Sequence, residues 1–191
     1  MRYNWLFILL VTIVGSCEQD QEVSTLFTSL SADHTNIDFE NTLIYDKDFN
    51  IYTYRNFYNG GGVALGDVNN DGLTDIYFTS NMQANRLYIN KGDFQFADMT
   101  EVAGVAGEKA WSTGVAMVDV NADGWLDIYV CVSGIGSNEE RSNLLYINQQ
   151  DGTFTEEATA YGIADSRQVM HAAFLDYDRD NDLDALLIRN P

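Results

Sequence analysis

The sequence predicts an all-β fold, a β-propeller built from blades of four antiparallel strands, of which about two and a half fall within these 191 residues. An acidic nonapeptide occurs three times: DVNNDGLTD at 67 to 75, DVNADGWLD at 119 to 127 and DYDRDNDLD at 176 to 184. The copies begin 52 and then 57 positions apart, which is the period of a repeating structural unit. Short apolar runs with strand composition flank every copy: VALGD and DIYFTS, VAMVD and DIYVCV, AAFLD and DALLIR.

The chain opens on a targeting segment that stands outside the fold. Arg2 supplies the positive charge, and Trp5 to Val14 form an apolar run too short to span a bilayer. The run leads into VGSC, whose small residues before Cys17 resemble a bacterial lipobox, with Cys17 as the lipidated residue. An ordinary secretory signal with a chance cysteine is the alternative. Residues 18 to 34 read as a polar tether, and residues 35 to 191 as propeller repeats. The EQDQE stretch after Cys17 resembles the export tag of surface-exposed bacterial lipoproteins, although a merely solvated tether explains it nearly as well. The expected location is therefore the outer membrane, as an exported, surface-exposed lipoprotein. With Cys17 lipidated, Cys131 has no partner, and its place in IYVCVS predicts a buried, inert thiol without a disulfide framework.

Residues 35 to 60 are rich in aromatics, with Tyr52, Tyr54, Phe57 and Tyr58 ahead of Gly60, Gly61 and Gly62. The spacing of Tyr52 and Tyr54 predicts a strand with one buried face. Blade packing accounts for these rings better than a sugar-binding platform does.

The nonapeptides place oxygen-bearing side chains at positions 1, 3, 5 and 9, the spacing by which a tight loop wraps a hard cation. The first loop offers Asp67, Asn69, Asp71 and Asp75; the second, Asp119, Asn121, Asp123 and Asp127; the third, Asp176, Asp178, Asp180 and Asp184. By analogy with other loops of this spacing, the position-7 carbonyls of Leu73, Trp125 and Asp182 are further candidate ligands. Carboxylates held this close repel unless a metal or protons neutralise them. Calcium suits such loops, because it takes about 6 to 8 oxygens in flexible geometry, whereas magnesium demands a stricter octahedron. Softer metals would prefer His and Cys, which the loops lack.

Gly72 and Gly124 fill position 6, where the chain turns sharply, and Asn181 takes that place in the third copy as a residue that tolerates positive φ. Its extra carboxylate predicts that the third hairpin depends most on calcium. An EF-hand shares the first half of the pattern but requires Glu at position 12 and flanking helices. Position 12 is Phe78, Val130 and Leu187, inside apolar strand-like runs. The unit is strand, calcium loop, strand. Beyond it, NRLYINKGDFQFADMTEVAGV at 85 to 105 aligns with NLLYINQQDGTFTEEATAYGI at 143 to 163, which adds two strands and completes four per unit. Helix is expected outside the N-terminus only as one turn near Met99 to Val102.

The motif D-x-[DN]-x-D-[GN]-x-x-D, preceded by FYNGGGVALGD and followed by NRLYINKG, resembles the FG-GAP or VCBS repeat of integrin-α-like propellers. More narrowly, the chain resembles bacterial VCBS-repeat lipoproteins of the ASPIC/UnbV-associated type. The resemblance covers about residues 35 to 191 and implies calcium in each acidic loop at one rim of a propeller, usually of seven blades. The FG-GAP name motif is only loosely present, with Gly60 to Gly62 and Ser112 to Gly114 at its place. A closed propeller needs about four to eight blades, so the chain reads as an N-terminal fragment.

The balance of 10 Lys plus Arg against 29 Asp plus Glu, a net charge of −19, leaves no basic stripe for phosphates. Nucleic acid is therefore not an expected partner, and membrane contact is expected through the lipid anchor alone. Neither His34 nor His171 stands beside a recognisable nucleophile. The expectation is a non-enzymatic binding or adhesion scaffold for a protein or glycan. The alternative is the N-terminal part of a lyase-like propeller enzyme acting on polysaccharide.

Overall fold

The computed structural model describes residues 26–107 and 111–190; the expected signal segment, Cys17 and residues 18–25 of the expected tether lie outside them. Strands β1 (Val63–Gly66), β2 (Asp75–Phe78), β3 (Arg86–Asn90) and β4 (Phe96–Asp98) form one antiparallel sheet in chain order. Strands β5 (Ser112–Val118), β6 (Asp127–Val132), β7 (Leu144–Asn148) and β8 (Phe154–Glu156) form a second sheet in the same way, and β9 (Val169–Leu175) with β10 (Asp184–Arg189) form a hairpin. These are two four-stranded blades and the first two strands of a third. Gly66 pairs with Asp75, Val118 with Asp127 and Leu175 with Asp184. The residue before each nonapeptide thus faces its ninth, so all three acidic loops close equivalent hairpins. Helical structure among the described residues comprises single turns, α1 (Ala32–Thr35) and, after the first blade, α2 (Thr100–Ala103).

The run IYVCV after Asp127 is apolar throughout because β6 is buried on both faces. Side chains alternate across a strand. Ile128, Val130 and Val132 enter a core shared with Ala64, Tyr77, Leu87 and Val105 of the first blade, whereas Tyr129 and Cys131 face Leu145, Val169 and Ala172 on the other side. Full burial of one such side chain is worth about 1.5–3 kcal/mol, so stacking the blades face to face supplies the core that no blade has alone. Cys131 is free and buried as expected, and burial pushes its thiol up to about 12. The two equivalent tyrosines also stitch each blade internally. Tyr77 donates to the carbonyl of Val105 at 2.6 Å and Tyr129 to that of Ile163 at 2.9 Å.

The first strands of the blades approach so closely that hydroxyls and missing side chains decide their fit. Thr79 accepts the N–H of Gly62 at 2.6 Å and donates to the carbonyl of Thr113, whose own hydroxyl lies 2.8 Å from the carbonyl of Val169 in the next unit. A Cβ added to Gly62 would stand 2.8 Å from the Thr113 carbonyl oxygen, and one added to Gly114 would stand 2.5 Å from that of Met170 and 2.8 Å from His171 Nδ1. His171, at the same position of the third unit, packs against Gly114 and is itself exposed. The third hairpin is further held by Arg189, whose guanidinium shares the Asp165 carboxylate with Arg167.

The aromatic stretch departs from expectation. Residues 51–58 form turns rather than a strand, because Asn50 organises them: its carbonyl accepts the N–H groups of Thr53 at 3.1 Å and Tyr54 at 2.8 Å, and its side chain accepts that of Tyr52 at 2.9 Å. Tyr54 and Phe57 are nevertheless buried, around Trp111 with Phe49, while Tyr52 and Tyr58 face solvent. The segment before it lies along the first blade, with Phe39 stacked on Phe78 at 4.9 Å and Tyr88 donating to Asp38 at 3.2 Å. Turn α1 reaches the same blade, where His34 Nε2 is 3.0 Å from the Asp93 carbonyl.

Because Gly114 lies outside the left-handed region and its cost is steric alone, Gly114→Ala should destabilise the chain by about 1–3 kcal/mol in denaturant unfolding.

Candidate metal centre

The first two acidic loops have the same internal wiring. Asp67 spans its loop, with one carboxylate oxygen accepting the N–H of Asp71 at 3.1 Å and the other that of Gly72 at 2.7 Å. Asn69 also accepts the Asp71 N–H at 3.1 Å and donates to the Asp71 carboxylate at 3.0 Å, which in turn accepts the Leu73 N–H at 2.9 Å. In the second loop Asp119, Asn121 and Asp123 repeat these contacts at 3.1, 2.8, 3.1, 3.1 and 2.9 Å, with Trp125 in the place of Leu73. The chain enters the left-handed region at position 6 in all three loops: φ is 84° at Gly72, 85° at Gly124 and 74° at Asn181. It does so at position 4 as well, at Asn70, Ala122 and Arg179, which the sequence did not signal. For Ala122 and Arg179 that conformation costs about 1 kcal/mol, and the hydrogen bonds of the loop offset it.

Position 9 is built differently from the rest. Asp75 and Asp127 are wholly buried. Asp75 accepts the N–H groups of Val68 at 2.9 Å and Asn90 at 2.8 Å; Asp127 accepts those of Val120 at 3.0 Å and Asn148 at 2.9 Å. Each carboxylate therefore ties the entry of its loop to the third strand of its blade. Burial pushes both carboxyls above the ordinary aspartate value, the backbone donors pull them back, and the neighbouring acids of the same loop push again.

The third loop keeps the position-9 contact, with Tyr177 N–H donating to Asp184 at 2.9 Å, and Asp176 accepts the Asn181 N–H at 3.3 Å. Among the described residues it is this loop that brings three carboxylates together: Asp176, Asp178 and Asp184 each present an oxygen, all within 4.8 Å of one another and all exposed. The reason lies at position 3, which is an acid here and Asn69 or Asn121 in the other loops. Asp180 meets Asp178 of this group and is also paired with Asp182. The backbone N–H of Asp182 lowers the Asp180 carboxyl, and the hydrogen bond between the two side chains raises that of Asp182. A donor set made only of carboxylate, amide and peptide oxygens fits a hard cation of calcium's kind.

The sequence profile of the FG-GAP-like repeat matches residues 67–130 and again residues 131–187. The chain belongs to the FG-GAP-like repeat family. Curated relatives of these FG-GAP-like repeats include cartilage acidic protein 1 of Xenopus tropicalis, 39% identical over 74 residues, and that of Homo sapiens, 38% identical over 72 residues. Those alignments cover 38% and 37% of this chain and 11% of each relative, so the matched part is a small portion of those proteins. The sheets described above are FG-GAP blades. In the first two acidic loops the side chains of positions 1, 3 and 5 share hydrogen bonds at the hairpin turn, and in the third the carboxylates of positions 1, 3 and 9 converge. Sequence reasoning missed Asn90 and Asn148, the last residues of the two LYIN strands, which anchor the position-9 carboxylates. Their recurrence in the aligned repeats was the available signal.

With calcium in the loops, as proposed below, its withdrawal should expose the amides of residues 172–188 to hydrogen exchange before those of the first two hairpins. Asp178→Asn, which removes one of the converging charges, should slow exchange of that hairpin in chelator and speed it in calcium.

Proposed function

We propose that this chain forms part of a calcium-stabilised propeller scaffold in an exported, lipid-anchored cell-surface protein, and that the scaffold mediates adhesion by binding a protein or a glycan. The observation that carries this reading is the convergence of Asp176, Asp178 and Asp184 at a hairpin turn whose geometry recurs in two further loops. Ions would be held by Asp67, Asn69, Asp71 and Asp75, by Asp119, Asn121, Asp123 and Asp127, and by Asp176, Asp178, Asp180 and Asp184, with the position-7 carbonyls completing the shells. Calcium would supply counter-charge and cross-linking there. An exported setting offers the calcium that weak oxygen sites require. FG-GAP membership and the cartilage acidic protein relatives favour a binding role over a catalytic one. Anchoring rests on the Arg2, Trp5 to Val14 and VGSC pattern at Cys17, and exposure at the outer membrane on the acidic tether behind it.

Each filled loop is expected to add about 2.7 kcal/mol of stability when calcium is 100-fold above its dissociation constant. Calorimetry in calcium and in EDTA measures it, and a melting temperature that does not move would defeat the calcium reading. Mass spectrometry of the mature N-terminus checks the anchor: a lipid-modified Cys17 is expected, and a free chain starting at another residue would rule the anchor out.

A further inference from the structure

The first two acidic loops belong to different blades, yet a buried chain of polar contacts runs from a ligand position of one to a ligand position of the other. It starts at Asp127, whose carboxylate accepts the backbone N–H of Asn148 at 2.9 Å. The side-chain amide of Asn148 crosses the blade boundary and donates to the Val68 carbonyl at 2.8 Å, while also reaching the Leu126 carbonyl at 3.1 Å. The N–H of Val68 then donates to the carboxylate of Asp75 at 2.9 Å. Asp75 and Asp127 are fully buried, and Asn148 and Val68 are each 4% exposed, so these bonds do not compete with water. Among the described residues Asn90, the equivalent residue one repeat earlier, makes the local half of this arrangement. It holds Asp75 through its backbone and donates to Thr74 of its own blade at 2.9 Å.

We propose that Asn148 couples the first two loops, so that calcium in one raises the affinity of the other. This rests on the calcium reading above. An ion in the second loop fixes Asp127, which fixes the Asn148 backbone and aims its side chain. That amide holds the Val68 peptide, and the Val68 N–H in turn sets Asp75 for the first ion. By linkage the effect is reciprocal. Asn148 acts as a positioning residue, for it would touch no ion itself. A second contact between the loops, Asn70 Nδ2 to the Gly124 carbonyl at 3.2 Å, is exposed and carries less.

Trp125 lies inside the second loop and makes that site separately readable, since terbium bound there is excited by energy transfer from its indole. The signal should vanish in Trp125→Phe, and calcium competition then reports the affinity of the second loop. Emptying the first loop with Asp71→Ala should weaken the second by about fivefold or more in the otherwise unchanged chain, the range of a typical coupling. In an Asn148→Ala background the same Asp71→Ala change should have little effect, whereas in an Asn90→Ala background the full effect should persist. A second loop that keeps or gains affinity when the first is emptied overturns the coupling, and that comparison needs no change at Asn148. Equal weakening with and without Asn148 places the path elsewhere and overturns its role. A folded chain that gives no terbium signal from Trp125 defeats the calcium reading itself, an outcome distinct from calcium binding without coupling.

Discussion

A buried aspartate at the ninth position of each complete repeat is the constraint on which the architecture depends. Asp75 and Asp127 begin the second strand of their blades, accept a peptide N–H from the loop entry, and accept another from the third strand. One carboxylate thus ties three segments that would otherwise meet only through ladder bonds. The arrangement is costly without a counter-charge, because burial opposes ionisation and the nearby loop acids oppose it further. A hard cation would answer both problems at once. The geometry that makes the hairpin turn and the geometry that would bind the ion are accordingly the same geometry.

The blades are not independent modules laid side by side. β6 has no solvent face; its odd and even residues belong to different cores, one shared with the preceding sheet and one with the following hairpin. Where the first strands converge there is no room for side chains, and Gly62 and Gly114 answer that by having none. The Thr79 and Thr113 hydroxyls close the same boundary through polar contacts to the next unit. Stability in such a stack lies in the boundaries as much as in the blades.

The hairpins were legible because their determinants are local. Acid spacing, a turn residue at position 6 and flanking apolar runs all fall within about twenty residues, and repetition separates them from chance. The turns of residues 51–58 were not legible, because Tyr52 and Tyr54 have strand-like spacing and the agents that override it are Asn50 and a cluster closed by Trp111, over fifty residues away. The left-handed turn at position 4 was hidden for another reason. Ala122 and Arg179 give no conformational hint, and the loop's own hydrogen bonds hold them there.

What the sequence by itself determined is the unit: four strands, an acidic loop closing the first hairpin, and an oxygen-only donor set suited to a hard cation. Periodicity and ligand chemistry are written in residue order and need no partner. Only the tertiary structure decided how the units join: which face of β6 meets which neighbour, that Asn148 reaches across to Val68 in another blade, and that Asp176, Asp178 and Asp184 converge. Those outcomes rest on contacts between residues far apart in the chain and on side-chain directions within a crowded loop, and neither has a signature in spacing.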